Sequence, residues 1–208
     1  MAKNFASIAF SPAVKKMQED MGSRKSYARM EQAVYIDGIT ENEIAFISQR
    51  DSFYMASFGE NKFPYIQHRG GPPGFLKVLD SKRLGFIDFK GNMQYISAGN
   101  IVTNNNVALI MVDYPARARL KIYAKAEIIE LKDNQNLLDL LDLAEYKFKP
   151  ERMMIFNIEA YDWNCPQHIT PRYTIAEIET AFQLQQQNIV KLKAEINSLK
   201  QQLKNLNV

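Results

Sequence analysis

The hydrophobic positions of this chain change their period twice along its length. Between Pro12 and Met21 they recur at helical spacing, and Thr40-Glu41-Asn42-Glu43 carries the pattern that caps a helix start, with the helix running towards Arg50. Beyond that point the period shortens. Residues 51–57, 65–68, 75–79, 84–89, 107–113, 120–130 and 153–161 are short runs rich in β-branched and aromatic residues, bounded by turn formers. Six or seven such strands predict a barrel. Leu137, Leu138, Leu140, Leu141 and Leu143 predict one helix between the last two long strands, placed to plug a barrel end. Strands and helices do not alternate as in a doubly wound fold, so the expected class is mainly β with helices, α+β, rather than Rossmann.

From Ile175 the period changes again. Ile175, Ile178, Phe182, Gln185, Ile189, Leu192, Ile196, Leu199, Leu203 and Leu206 alternate by three and four, an a/d heptad seam free of glycine and proline. Mostly Ile at a and Leu at d predicts a parallel two-stranded coiled coil. In that register Glu195 at g faces Lys200 at the following e of the other copy. Gln185 interrupts the seam. The same pattern also suits a single amphipathic helix packed on its own barrel. The expected organisation is a helical segment over 1–39, a barrel over 40–172 and the heptad helix over 173–208.

Composition narrows the function classes. The 208 residues are 46% hydrophobic, enough for one substantial core. Twenty-six basic and 23 acidic residues give a formal charge of only +3, with Lys and Arg dispersed, which argues against a nucleic-acid partner. Met1 to Phe10 lacks a leader pattern, and no apolar run approaches the ~18 residues a membrane span needs, so a soluble, cytoplasmic protein without a membrane partner is expected. Cys165 is the only cysteine and His68 and His168 the only histidines. An intrachain disulfide is excluded, and no metal site is expected.

Four stretches carry candidate chemistry. Gln67-His68-Arg69-Gly70-Gly71-Pro72-Pro73-Gly74-Phe75 joins a guanidinium and an imidazole to glycines that let backbone N–H groups approach an anion, and its prolines stiffen the turn. A solvated Gly/Pro connection would look alike. Gly91-Asn92, Gln94, Ser97 and Gly99-Asn100 offer amides and a hydroxyl at the opening of a short helix, an arrangement that suits phosphate, though Asn92 and Asn100 also read as turn caps. Arg117 and Arg119 enter a long strand, and alternation places them on one face, either as donors to a ring system or as charges that protect an edge. Trp163 can stack on a flat ligand or fill a core. Cys165 beside Pro166 reads as a packing residue rather than a nucleophile.

Together, Gln67 to Phe75, the Gly91 to Asn100 segment, Asp113-Tyr114-Pro115 with Arg119-Leu120, and Asp162-Trp163-Asn164-Cys165-Pro166-Gln167-His168 resemble the pyridoxamine 5′-phosphate oxidase-like flavin-nucleotide-binding proteins. The likeness covers residues 40–172. It implies a split β-barrel homodimer with two FMN molecules at the subunit interface, each held by both chains. It places Gln67, His68, Arg69 and Phe75 near the flavin or its phosphate, and Asn92, Gln94, Ser97 and Asn100 on the phosphate and ribityl side. Arg119 is set against the isoalloxazine, with Arg117 beside it and Trp163 contributed by the loop after the final strand.

This chain departs from that pattern at three points. Met93 stands where a basic residue is common, so Arg69, Lys90 or Arg117 must compensate the phosphate charge. Ala124 occupies an expected glycine position. The heptads replace the tryptophan and arginine segment that completes the pyridoxamine phosphate pocket, so oxidation of that substrate is not expected. Two function classes follow: an FMN-dependent oxidoreductase acting on an unidentified small molecule or electron carrier, and a non-catalytic flavin-binding module assembled through its coiled coil. No residue is assigned a catalytic role. His68 is the one group near the expected site that exchanges a proton around neutrality.

Overall fold

Alternation along the strands builds the barrel. The computed structural model describes residues 4–32 and 37–206; residues 1–3 and 33–36 of the expected N-terminal helical segment lie outside them. In chain order the elements are α1 (Phe5–Ala9), α2 (Pro12–Asp20), α3 (Arg24–Gln32), α4 (Glu41–Ser48), β1 (Ser52–Phe58), β2 (Pro64–Gly70), β3 (Lys77–Asp80), β4 (Arg83–Phe89), α5 (Ile96–Thr103), β5 (Asn106–Asp113), β6 (Ala118–Ile129), α6 (Gln135–Leu141), β7 (Pro150–Asn164) and α7 (Ile175–Leu206). The strands form one antiparallel sheet in the order β2-β1-β5-β6-β7-β4-β3, so the fold is α+β. Among the described residues, no helix is long and apolar enough to cross a membrane.

The sheet curls on itself. Phe53 of β1 packs edge-on against Phe86 of β4 at 5.5 Å and Phe156 of β7 at 6.0 Å, although β5 and β6 separate β1 from β7 in the ladder. Met55, Leu84, Leu109, Met111, Leu120, Ile122 and Met154 fill the same interior, each 0–1% exposed. Burying one such side chain stabilises the fold by about 1.5–3 kcal/mol. Strand β2, at one edge, has no ladder with β3 at the other, and that gap is the split in the barrel.

Helices cover the outside. Odd-numbered residues of β4 face outward, so Leu141 of α6 packs on Gly85, where an added Cβ would lie 3.1 Å from its Cδ2, and on Ile87, Met153 and Ile155. This corrects the expectation that the helix plugs a barrel end: α6 covers an outer face. Phe5 of α1 stacks on Tyr123 of β6 at 4.5 Å. Helix α4 starts on its capping box, Thr40 donating through its N–H (2.8 Å) and Oγ1 (2.6 Å) to Glu43, and inserts Ile47 into the core.

The chain divides into two compact units: the residues up to Asp113 with Ala118–Gln167, and Tyr114–Arg117 with the chain from His168 on. In the second unit Arg172 lies over the Tyr114 ring at 4.8 Å, and Thr174 and Glu177 form a second capping box that starts α7.

Candidate functional site

The split in the barrel opens into a polar cleft. Because Phe53 and Met55 of β1 face inward, their register partners Arg69 and Gln67 on β2 face inward too, and they meet Asp88 at the end of β4 and Arg152 at the start of β7. Tyr65, Asn92, Gln94, Tyr95 and Ser97 complete most of the wall, around a space of about 400 Å³ counting the part open to solvent. Five of the residues singled out from sequence converge here: Gln67, Arg69, Asn92, Gln94 and Ser97.

Hydrogen bonds hold the wall. Ser97 Oγ donates to Gln67 Oε1 at 2.7 Å, tying α5 to β2, and Gln94 N–H donates to Asn92 Oδ1 at 3.2 Å. Met93 and Tyr95 both have left-handed φ, 60° and 57°, a backbone strain that turns the chain sharply into α5. The first amides of α5, at Ile96, Ser97 and Ala98, have no intrahelical acceptor, Tyr95 gives them no side-chain cap, and these three residues line the cleft.

The charges form a balanced set. Arg69 Nη1 donates to Asp88 Oδ1 at 2.6 Å, Arg152 lies 3.8 Å from the other Asp88 oxygen, and Arg152 Nη2 pairs with Glu151 at 2.8 Å. Burial pushes the Asp88 carboxyl above its ordinary value, against the pull of Arg69 and Arg152. Tyr95 Oη donates to Glu151 at 2.8 Å; that bond raises the phenol and holds the carboxylate low. Two arginines against two carboxylates cancel formally, so attraction for an anion rests on oriented donors. Arg69 Nε is such a donor: it is buried without a hydrogen-bond partner among the described residues.

The other sequence candidates stand elsewhere. His68 faces the opposite side of β2 and meets Tyr54 edge-on at 5.3 Å. Phe75 is 1% exposed and stacks on Phe53 in the core. The glycine turn is held by its own backbone: Gly71 N–H donates to Asp51 at 2.9 Å and Gly74 N–H to Arg50 at 3.0 Å. Asn100 Nδ2 donates to Ser57 at 3.0 Å. Arg119 Nη2 donates to the Cys165 carbonyl at 2.9 Å, while its Nε is a second buried donor without a partner among the described residues. Trp163 Nε1 donates to Glu43 at 2.6 Å, and its ring packs edge-on against Phe46. Arg117 lies in the turn before β6 with φ 53°, so the expectation that it shares a strand face with Arg119 is corrected. Lys90 is exposed and outside the wall.

Arg152 was missed in the sequence. Its signal was an arginine in phase with Met154 and Phe156, hence on the inward side of an otherwise apolar strand.

A family model described as pyridoxamine 5′-phosphate oxidase matches residues 39–159, more than half of the chain. Among solved structures, HupZ of Group A Streptococcus is 13% identical over 65% of this chain and 100% of its own, with a TM-score of 0.49. A Clostridium acetobutylicum protein related to general stress protein 26 is 17% identical over 66% and 93%, with a TM-score of 0.44. An FMN-binding protein of Syntrophomonas wolfei is 12% identical over 72% and 97%, with a TM-score of 0.43. No curated protein matches the chain. Because the matched residues run from Ile39, before α4, into β7, and so take in six whole strands and the cleft between them, the chain belongs to the pyridoxamine 5′-phosphate oxidase family.

Proposed function

We propose that this protein binds FMN and acts as a flavin-dependent oxidoreductase on a small molecule. The phosphate end of the cofactor suits this cleft: the unpaired Arg69 Nε, the first amides of α5 and the Arg152 guanidinium are all suitable donors. That buried, unpartnered Nε carries the reading, because such a donor is costly to leave unmade. Gln67, Asn92 and Gln94 line the ribityl side. Bound FMN supplies the hydride or electron chemistry, while the chain supplies position and charge. The proposed assembly is a homodimer in which Arg119 and Trp163, bonded away from the cleft within one chain, stand beside the flavin held mainly by the partner.

One observation favours the second reading, a non-catalytic flavin-binding module: no histidine or cysteine lines the cleft, so no group that ordinarily titrates near neutrality faces it. Purified protein should show flavin absorption bands, and added FMN should be quenched on binding with one site per chain. Arg69→Ala should lose most of that binding; unchanged occupancy would remove the cleft from consideration. Reduction of the bound flavin by a reduced nicotinamide, followed by turnover with a dye acceptor, separates the enzyme from the module.

A further inference from the structure

Helix α7 carries a long apolar row along one side. Over its 32 residues Phe182, Leu192, Ile196 and Leu199 are 60%, 58%, 50% and 52% exposed, and Ile175, Ile178, Ile189 and Leu203 continue the row. Off the row Gln183, Gln186, Gln187, Lys191, Lys193 and Lys200 are exposed, with Leu184 and Val190 as isolated apolar side chains among them. A row with a period of 3.5 drifts around a straight helix, so it stays buried only when two helices supercoil about each other.

We propose that α7 pairs with the α7 of a second copy as a parallel, in-register coiled coil, and that Gln185 sets that register. Charge selects the partner. In the parallel pairing Glu195 of one copy faces Lys200 of the other on both flanks of the seam, and only a second copy in the same direction repeats that match. Side-chain shape agrees, with Ile189 and Ile196 at a and Leu192 and Leu199 at d.

Gln185 occupies a d position, two heptads before Leu199. In register it meets Gln185 of the other copy. Each amide then offers both a donor and an acceptor, and the pair satisfies itself. A slip of one heptad places Gln185 against Ile178 or Leu192, and an antiparallel pairing over the full helix places it against Ile196. Both arrangements bury an amide without a partner. The polar break therefore lowers the stability of the seam while making one alignment better than its neighbours. The pairing requires no flavin, so it stands or falls apart from the cofactor reading.

The test uses the full chain with Cys165→Ser and one new cysteine at a time, in a glutathione redox buffer. Leu199→Cys, or Ile196→Cys if the first does not fold, should form a disulfide-linked dimer at least roughly tenfold faster than Ser198→Cys, which sits one position off the seam. Equal rates at positions 198 and 199 would overturn the pairing. Predominant joining of Phe182→Cys chains to Leu199→Cys chains in a refolded mixture would overturn its direction. For the register, Leu192→Cys and Leu199→Cys chains refolded together should give little mixed disulfide, and several times more when both also carry Gln185→Leu. An unchanged yield of the mixed product would overturn the role of Gln185.

Discussion

Arg69 and Asp88 pair at 2.6 Å across two strands that share no backbone ladder. Strand β2 is an edge of the sheet and β4 lies five strands away from it, so this ion pair spans the split where hydrogen bonding stops. Both side chains are largely buried, with 14% and 7% of their surface exposed. The same guanidinium that closes the barrel belongs to a residue lining the cleft, and its Nε is buried without a partner among the described residues. The fold and the proposed ligand binding therefore draw on one residue, and substitutions there must be read with both effects in view.

Removing one partner of this pair leaves a buried charge, a loss of about 3–5 kcal/mol, whereas replacing both by apolar residues of similar size is often close to neutral. Arg69→Met should therefore lower unfolding stability in urea by several kcal/mol, and Arg69→Met with Asp88→Leu should recover most of it. Arg152, at 3.8 Å, cannot replace Arg69 as the close partner. Additive losses in the double variant would show that the two residues act independently.

Two buried carboxylates should respond to pH with opposite sign. Burial alone would raise Glu43, but hydrogen bonds from Thr40 and Trp163 outweigh it and hold the carboxyl below an ordinary glutamate's 4.5. Its stabilisation is present above 4.5 and is lost as pH falls through the lowered folded value. Asp88, raised by burial above 3.8, contributes stability that is present below 3.8 and is lost as pH rises through the folded value. Unfolding free energies from about pH 2.5 to 7 should show the advantage of wild type over Glu43→Gln shrinking towards acid. Over the same range, its advantage over Asp88→Asn should grow towards acid. Parallel curves would refute the assignment.

Much of the framework was legible in the alternation. All seven strands lie where β-branched and aromatic runs predict them, and Thr40 with Glu43 marks the start of α4. Thr174 with Glu177 carried the same signal at the start of α7 and went unread. The cleft was harder, because neighbours in sequence diverge in space. Gln67, His68 and Arg69 read as one cluster, yet the two-residue period of β2 sends His68 to the other face. Glycines in the 70–74 turn suggested an anion, but a tight turn needs the same composition, and its amides are taken by Arg50 and Asp51. The left-handed φ of Arg117 breaks a strand alternation that residue types alone extend through it. Which strands meet across the split depends on long-range closure, which no local pattern records.

Gly74 offers a clean test of the turn. Its φ is +77°, and an added Cβ would lie 3.0 Å from the Ser48 carbonyl oxygen. Gly74→Ala should cost about 1–2 kcal/mol in urea unfolding from the left-handed backbone alone. Gly99 is the contrast: it lies within α5, and nothing stands within 4 Å of an added Cβ. Gly99→Ala should therefore stabilise the protein by about 0.5–1 kcal/mol through helix propensity.

The cleft makes its sharpest prediction in the comparison of FMN with riboflavin, which lacks only the phosphate. A hydrogen bond from a charged group to phosphate is worth about 1.5–3 kcal/mol, so Arg152→Gln should weaken FMN binding by about 10- to 100-fold. Riboflavin binding should change little. Asp88→Asn should move FMN affinity the other way, because it removes the anion that competes for Arg69 and turns a balanced set of charges positive. Its stability cost can be separated by titrating well below the unfolding midpoint. Fluorescence titration of both ligands against both variants measures all four affinities. If Arg152→Gln weakened riboflavin as much as FMN, the arginine would be supporting the ring or the fold, and the phosphate would have to lie elsewhere.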